Sequence, residues 1–276
     1  MLFWDPNPIA FHIPYFNLPI FIYGICFVLG FYLGYQILLR LMRQTLKSST
    51  LAQECVDRLT WCVVVGTIVG ARLGHVLFYD WERYKAHPWQ ILNTREGGLA
   101  SHGGTVCVLL ALAFFYFTYL KRKTQVTFLQ LLDRMAIATA VTATFIRIGN
   151  FFNQEIIGVP TNLPWAVTFG HPADGEAPVP RHPAQLYEAL LYFATFLILS
   201  FLWKRTRIKE MPGFTIGLFF TLVFGGRFLI EFIKVVQESV FDQQILQAGQ
   251  WLSIPFILGG LGLLLWSCRA KQRSAL

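Results

Sequence analysis

The chain has 276 residues, 55% of them hydrophobic, 16% aromatic and only 14% charged, with a mean hydropathy of +0.50 and a formal net charge of +8. A water-soluble core needs no such apolar excess, so an ordinary soluble globular protein is excluded and an all-α, polytopic membrane protein is expected. Nor does the positive balance indicate nucleic acid, because the basic residues punctuate apolar stretches instead of gathering into one patch.

Met1 to Pro19 contains Asp5, four prolines and no Lys or Arg. It lacks the positive n-region of a cleavable signal peptide and reads as mature protein. Seven apolar stretches follow: Leu18 to Leu41, Leu59 to Tyr79, Ser101 to Leu120, Phe128 to Ile148, Ala184 to Trp203, Phe214 to Phe232 and Trp251 to Cys268. Each is near the roughly 20 residues that a helix needs to cross about 30 Å of hydrocarbon. Asp133 and Arg134 interrupt the fourth early, making it the least regular.

The connections differ in charge. Arg40, Arg43, Lys47 and Arg58 flank the first, Lys121, Arg122 and Lys123 the third, Lys204, Arg205, Arg207 and Lys209 the fifth, and Arg269, Lys271 and Arg273 the tail. The alternate connections carry only Arg83, Lys85, Arg95, Arg181 and Lys234. The positive-inside rule then places the N-terminus outside and the C-terminus in the cytoplasm. Asp80 to Ala100, with Trp81, Tyr84 and Trp89 among charges, suits a membrane interface. Residues 151–183, rich in Pro and Gly, are expected to form a compact non-helical extracytoplasmic cap within one integral membrane domain of residues 1–276.

Small residues recur at four-residue spacing in Gly30 and Gly34, and in Gly66, Gly70 and Gly74, where they favour close helix packing. The five cysteines show no CxxC spacing and read as small buried residues, so neither zinc nor a disulfide framework is indicated. With no metal or nucleotide motif either, no cofactor is expected.

Several polar residues interrupt the apolar segments. Arg72, Arg147 and Arg227 lie at comparable depth in three different helices, which suggests one shared anion. An arginine near the bilayer centre costs roughly 2.5–3.5 kcal/mol on insertion scales, so each needs a partner, a wet cavity or a bound anion. Glu231, four residues after Arg227, shares its helical face, and a structural ion pair is the competing explanation. His102, followed by Gly103 and Gly104, opens the third helix and has a pKa range suited to a general base, or is simply structural. The densest run is Arg147-Ile148-Gly149-Asn150-Phe151-Phe152-Asn153-Gln154-Glu155-Ile156-Ile157-Gly158. There Asn150, Asn153 and Glu155 stand beside Arg147 as an anchor for a polar headgroup. Arg181-His182-Pro183-Ala184-Gln185-Leu186-Tyr187-Glu188 opens the fifth helix, with Glu188 about one turn in and suited to hydrogen bonding.

These residues resemble the bacterial phosphatidylglycerol–prolipoprotein diacylglyceryl transferases over almost the whole chain. The Arg147–Gly158 run is similar to that family's signature. Tyr23-Gly24, Gly70-Ala71-Arg72-Leu73-Gly74, His102-Gly103-Gly104, the Arg181–Glu188 run, Arg227 with Glu231, and Gly249 to Pro255 extend the match. Ile146 stands where the family usually has glycine, and Val223 where a tyrosine is expected, which removes a hydroxyl.

The resemblance implies a bacterial inner-membrane, multi-pass transferase. It would move the diacylglyceryl group of phosphatidylglycerol to the lipobox cysteine of a prolipoprotein signal peptide, releasing glycerol phosphate. Its partners would be those two substrates and membrane lipids, with no nucleic acid, metal or cofactor. His102, Arg147 and Arg227 would carry the chemistry, and Tyr23, Asn150, Asn153 and Glu155 would bind the headgroup with the arginines. Arg72, Gly103, Gly104, Gly158, His182, Glu188 and Glu231 would support them. Intramembrane arginines also suit a transporter for anionic solutes or a scaffold that only binds anionic lipid. The inverted repeats that would favour a transporter are not evident in the sequence.

Overall fold

The computed structural model describes residues 2–15, 17–93, 98, 100–235 and 246–274, the side chains of residues 101, 102, 273 and 274 excepted. In chain order the elements begin with strands β1 (Leu2–Trp4), β2 (Ile9–Ile13) and β3 (Leu18–Phe21). Helices α1 (Ile22–Thr45), α2 (Ser49–Phe78), α3 (Trp81–Ala86) and α4 (Ser101–Phe115) come after them. A π-helical turn, Tyr116–Leu120, joins α4 to α5 (Lys121–Lys123), and α6 (Phe128–Phe152) comes next. Strands β4 (Val167–Phe169) and β5 (Pro180–Arg181) precede α7 (Ala184–Arg205), α8 (Phe214–Glu231) and α9 (Ala248–Ser274). Among the described residues, seven helices are long and apolar enough to cross a membrane. Trp61, Phe78, Phe114, Leu190, Leu229 and Leu258 along them are exposed, as a surface solvated by acyl chains allows.

The starts of the first two long helices differ from those of the apolar stretches. Leu18 to Phe21, expected as the start of the first span, is strand β3, paired antiparallel with β2. Pro19 inside it lacks the amide hydrogen a helix interior would use. The second helix starts ten residues before the apolar run, at Ser49, because Ser48 caps it by accepting the Leu51 amide at 3.2 Å.

The chain divides into two compact units, Met1–Leu38 with Leu129–Leu276, and Leu39–Phe128. In the smaller unit, α2 and α4 touch backbone to backbone. A Cβ on Gly70 would lie 2.6 Å from Gly103 O, and one on Gly74 would lie 2.7 Å from Gly103 Cα. Arg72 ties the segment beyond α3 to α2: Nε donates to Ile91 O at 2.8 Å, and Nη2 to Gln90 O and Asn93 O at 2.7 Å each. Nη1 donates to Gly98 O at 3.1 Å.

In the larger unit, Gly30 and Gly34 of α1 pack on Thr142 and Ala138 of α6, and Thr142 Oγ1 donates to Gly30 O at 2.9 Å. Phe224 of α8 stacks on Phe256 of α9 with ring centroids 4.2 Å apart. Asp133, the charge that made the fourth span irregular, caps α8 by accepting the Gly213 amide at 2.8 Å and the Ile216 amide at 2.9 Å. Residues 153–183 contain no helix, and strand β4 within them pairs parallel with β1 and antiparallel with β5. Phe151, Ile157, Val167 and Phe169 form a small core there, against which Trp4 packs.

Candidate active site

The chain reverses immediately after α6. Asn153 N donates to Gly149 O, Gln154 N to Phe151 O and Glu155 N to Asn150 O, at 3.0, 3.2 and 3.1 Å. Gln154 and Ile156 adopt left-handed backbone, with φ of 54° and 59°. Neither is glycine, so the turn carries strain that its surroundings must hold. They do so through side chains as well as backbone. Gln154 Nε2 donates to Asp5 Oδ1 at 3.1 Å, and Gln154 Oε1 accepts the His171 amide at 2.8 Å. The His171 ring reaches the same Asp5 oxygen at 2.7 Å. The bonds from His171 and then from Gln154 hold the Asp5 carboxyl below its ordinary pKa.

This turn points Glu155 back at α6. Its Oε1 accepts from Asn150 Nδ2 at 2.6 Å and from Asn153 Nδ2 at 3.4 Å. Asn150 Oδ1 accepts in turn from Arg147 Nη1 at 2.9 Å, so a chain of polar contacts runs from the guanidinium to the carboxylate. Gln185 Nε2 donates to Glu155 O at 2.7 Å and fixes the turn to α7. Tyr23 lies beside Gly149, where a Cβ would come within 2.8 Å of its ring. A cavity of about 410 Å³ adjoins the turn, lined by Asn153, Glu155, Asp5 and Phe21 among others.

The other edge of Arg147 meets a carboxylate that has no access to solvent. Glu188, one turn into α7, has a side-chain exposure of 0%, and its Oε2 lies 2.7 Å from Arg147 Nε. Its Oε1 lies 2.9 Å from Lys234 Nζ and 3.8 Å from Arg227 Nε. Lys234 also pairs with Glu231 Oε2 at 3.1 Å. Three cations from α6, α8 and the residues after α8 thus gather around one buried carboxylate and a second beside it. A buried charge survives only when paired, and with Glu155 beyond Asn150 the three cations are matched by three carboxylates. Arg227, 3.8 Å from Glu188 and 32% exposed, is the cation with room for an anion. Tyr192, one turn beyond Glu188 on α7, is buried.

The structure therefore groups Arg147, Arg227, Tyr23, Asn150, Asn153, Glu155, Glu188 and Glu231. Arg227 does not pair with Glu231 as their spacing suggests. Arg227 Nε faces Glu188 Oε1 at 3.8 Å, and Glu231 takes Lys234. Arg72 gives its guanidinium to four carbonyls of its own unit. Gly103 is a packing residue against Gly70 and Gly74, and Gly104 lies against Ala71 and Thr67. Gly158 admits His182 and Ile233: a Cβ there would lie 2.5 Å from His182 Cβ and 2.8 Å from Ile233 O. The His182 ring faces the Tyr187 hydroxyl at 3.2 Å. Val223 is buried. The His102 backbone belongs to α4, and its side chain lies outside the described residues.

Lys234, Tyr192 and Gln185 join the site without having been singled out from the sequence. Tyr192 follows Glu188 by four residues on α7, so helical spacing marks it as a neighbour of an acidic residue, whereas Lys234 follows Glu231 by three but lies beyond the end of α8.

The sequence has counterparts among known proteins. The family model for prolipoprotein diacylglyceryl transferase matches residues 8–266. The phosphatidylglycerol–prolipoprotein diacylglyceryl transferase of Tolumonas auensis is 45% identical over 273 residues, covering 99% of this chain and all of that one. The enzyme of the same name from Protochlamydia amoebophila is 40% identical, covering 94% of this chain and 93% of its own. That of Chlamydia trachomatis is 33% identical, covering 99% of this chain and 100% of its own. With an arginine-rich site built on the signature turn and similarity along its whole length, the chain belongs to the prolipoprotein diacylglyceryl transferase family.

Proposed function

We propose that this chain transfers the diacylglyceryl group of phosphatidylglycerol to the lipobox cysteine of a prolipoprotein in the bacterial inner membrane, and that Arg147 and Arg227 bind the lipid phosphate. The cysteine sulfur attacks the glycerol carbon that bears the phosphate. The C–S bond forms, the C–O bond to phosphate breaks, and glycerol phosphate leaves with the electron pair. The thiol proton passes to a base, for which His102 is the candidate. The phosphate thereby goes from one negative charge toward two. Guanidinium groups fixed beside it bind the developing charge more strongly than the initial one, and that difference lowers the barrier. They also raise the thiolate fraction of a cysteine whose free pKa is about 8.5.

The observation that supports this reading is the cation cluster on Glu188, which brings Arg147 and Arg227 together and leaves Arg227 3.8 Å off the carboxylate. Asn150, Asn153 and Glu155 hold Arg147 from its other side, and Tyr23 closes over Gly149. No energy source is required, because the lipid phosphate is already a leaving group.

Arg147→Ala in the purified protein, supplied with phosphatidylglycerol and a lipobox-cysteine peptide, is expected to lower thioether formation by at least about a hundredfold, the scale of a lost electrostatic contact to a developing charge. Insertion and folding should persist. Near-normal thioether product from this variant would overturn the assignment, and solute flux or lipid binding without product from the unsubstituted protein would favour the transporter or scaffold reading.

A further inference from the structure

The three cations around Glu188 are not equivalent. Arg147 Nε sits in full contact with Oε2 at 2.7 Å, and Lys234 Nζ sits in full contact with Oε1 at 2.9 Å. Arg227 Nε stops 3.8 Å from that same Oε1, beyond hydrogen-bonding distance. Exposure runs in the same order: 7% for the Lys234 side chain, 14% for Arg147 and 32% for Arg227. The arginine that stands off the carboxylate is also the one most open to a ligand.

Lys234 is held where it is by backbone rather than by a helix. Val159 N donates to Ile233 O at 2.9 Å and Val235 N to Ile157 O at 3.2 Å, which sets Gly158 and Lys234 opposite each other as an antiparallel bridge. Glu231 Oε2, at 3.1 Å, steadies the ammonium from its other side. The signature turn thus delivers to Glu188 a lysine that lies 46 residues away from it in sequence.

A fully buried carboxylate oxygen with no cation in contact would draw the nearest guanidinium onto itself. We propose that Lys234 is a positioning residue whose ammonium saturates Glu188 and so keeps Arg227 free for the phosphate of the lipid substrate. This rests on the assignment of Arg147 and Arg227 to that phosphate. In the absence of Lys234, Arg227 closes onto Glu188 Oε1, its charge is cancelled, and the lipid competes with an internal carboxylate for it.

Steady-state transfer with purified full-length protein, varying phosphatidylglycerol at saturating lipobox peptide, tests this. Lys234→Met should raise KM for the lipid at least about tenfold, the scale expected when a buried ion pair loses one member. Lys234→Arg, which restores a cation, should recover most of that loss. The distinguishing variant is Glu188→Gln combined with Lys234→Met: with no carboxylate left to capture Arg227, its KM should fall within about threefold of Glu188→Gln alone, the coupling expected of a shared partner. A double variant as impaired as Lys234→Met, or a wild-type KM in Lys234→Met, overturns the proposal. Should Lys234→Met not fold, the double variant compared with Glu188→Gln decides by the same threefold criterion. Arg227→Gln, run alongside, separates the two levels. An unchanged KM there overturns the phosphate assignment and this proposal together, whereas a raised KM there with a wild-type KM in Lys234→Met overturns the proposal alone.

Discussion

Asp5 shows how one exposed side chain ties remote segments together. It receives His171 at 2.7 Å and Gln154 at 3.1 Å, and these bonds hold its carboxyl below the ordinary value. A depressed carboxyl stabilises the folded state above its unfolded pKa and loses that contribution as pH falls through its folded value. Hydrogen exchange in residues 2–13 should therefore be faster in Asp5→Asn than in the unsubstituted protein at about pH 5, and the difference should shrink as pH falls through the lowered folded value of the carboxyl. Equal exchange at about pH 5 would show that the tether contributes nothing. Residues of this kind were only partly legible in the sequence. Arg147, Asn150, Asn153 and Glu155 stand out because an apolar run makes each polar group costly, and because they are neighbours in the chain. Glu188 and Lys234 lie 46 residues apart, and their pairing depends on a backbone bridge that no local spacing encodes. The Arg227–Glu231 spacing suggested an ion pair for the opposite reason: helical geometry is local, whereas the burial of Glu188 that overrides it is not.

At the scale of elements, the helices were readable from hydropathy and their ends were not. Ser48 moves the start of α2 away from its apolar run, and strand pairing claims Leu18–Phe21. Asp133 is the clearest case. In the sequence it weakens a span, and in the structure it caps the next helix but one, binding the amides of Gly213 and Ile216. Asp133→Ala leaves two buried N–H donors without their acceptor, which should destabilise the protein by about 1–3 kcal/mol. Unfolding in detergent, followed by far-ultraviolet circular dichroism, measures this, and an unchanged midpoint would mean the cap is dispensable. Arg72 teaches the same lesson in the smaller unit: its guanidinium organises the carbonyls of the segment after α3, so an intramembrane arginine is a folding device there.

For the whole molecule, composition declared the membrane class, but not the short strands that join the first residues to those beyond position 165. The turn after α6 is where these distant parts meet. Its backbone and side chains bond Asp5, His171, Ala173, His182, Gln185 and Ile233, and Glu155 sits between two left-handed residues. A joint with that many moorings has no slack. One added residue between Phe152 and Ile157 would displace the downstream chain by about 3.8 Å, more than any hydrogen bond tolerates, and transfer should be lost. The same insertion after Glu176, on an exposed stretch where even a Cβ at Gly175 meets nothing, should be absorbed with activity retained. Length, more than residue identity, is what this junction cannot vary.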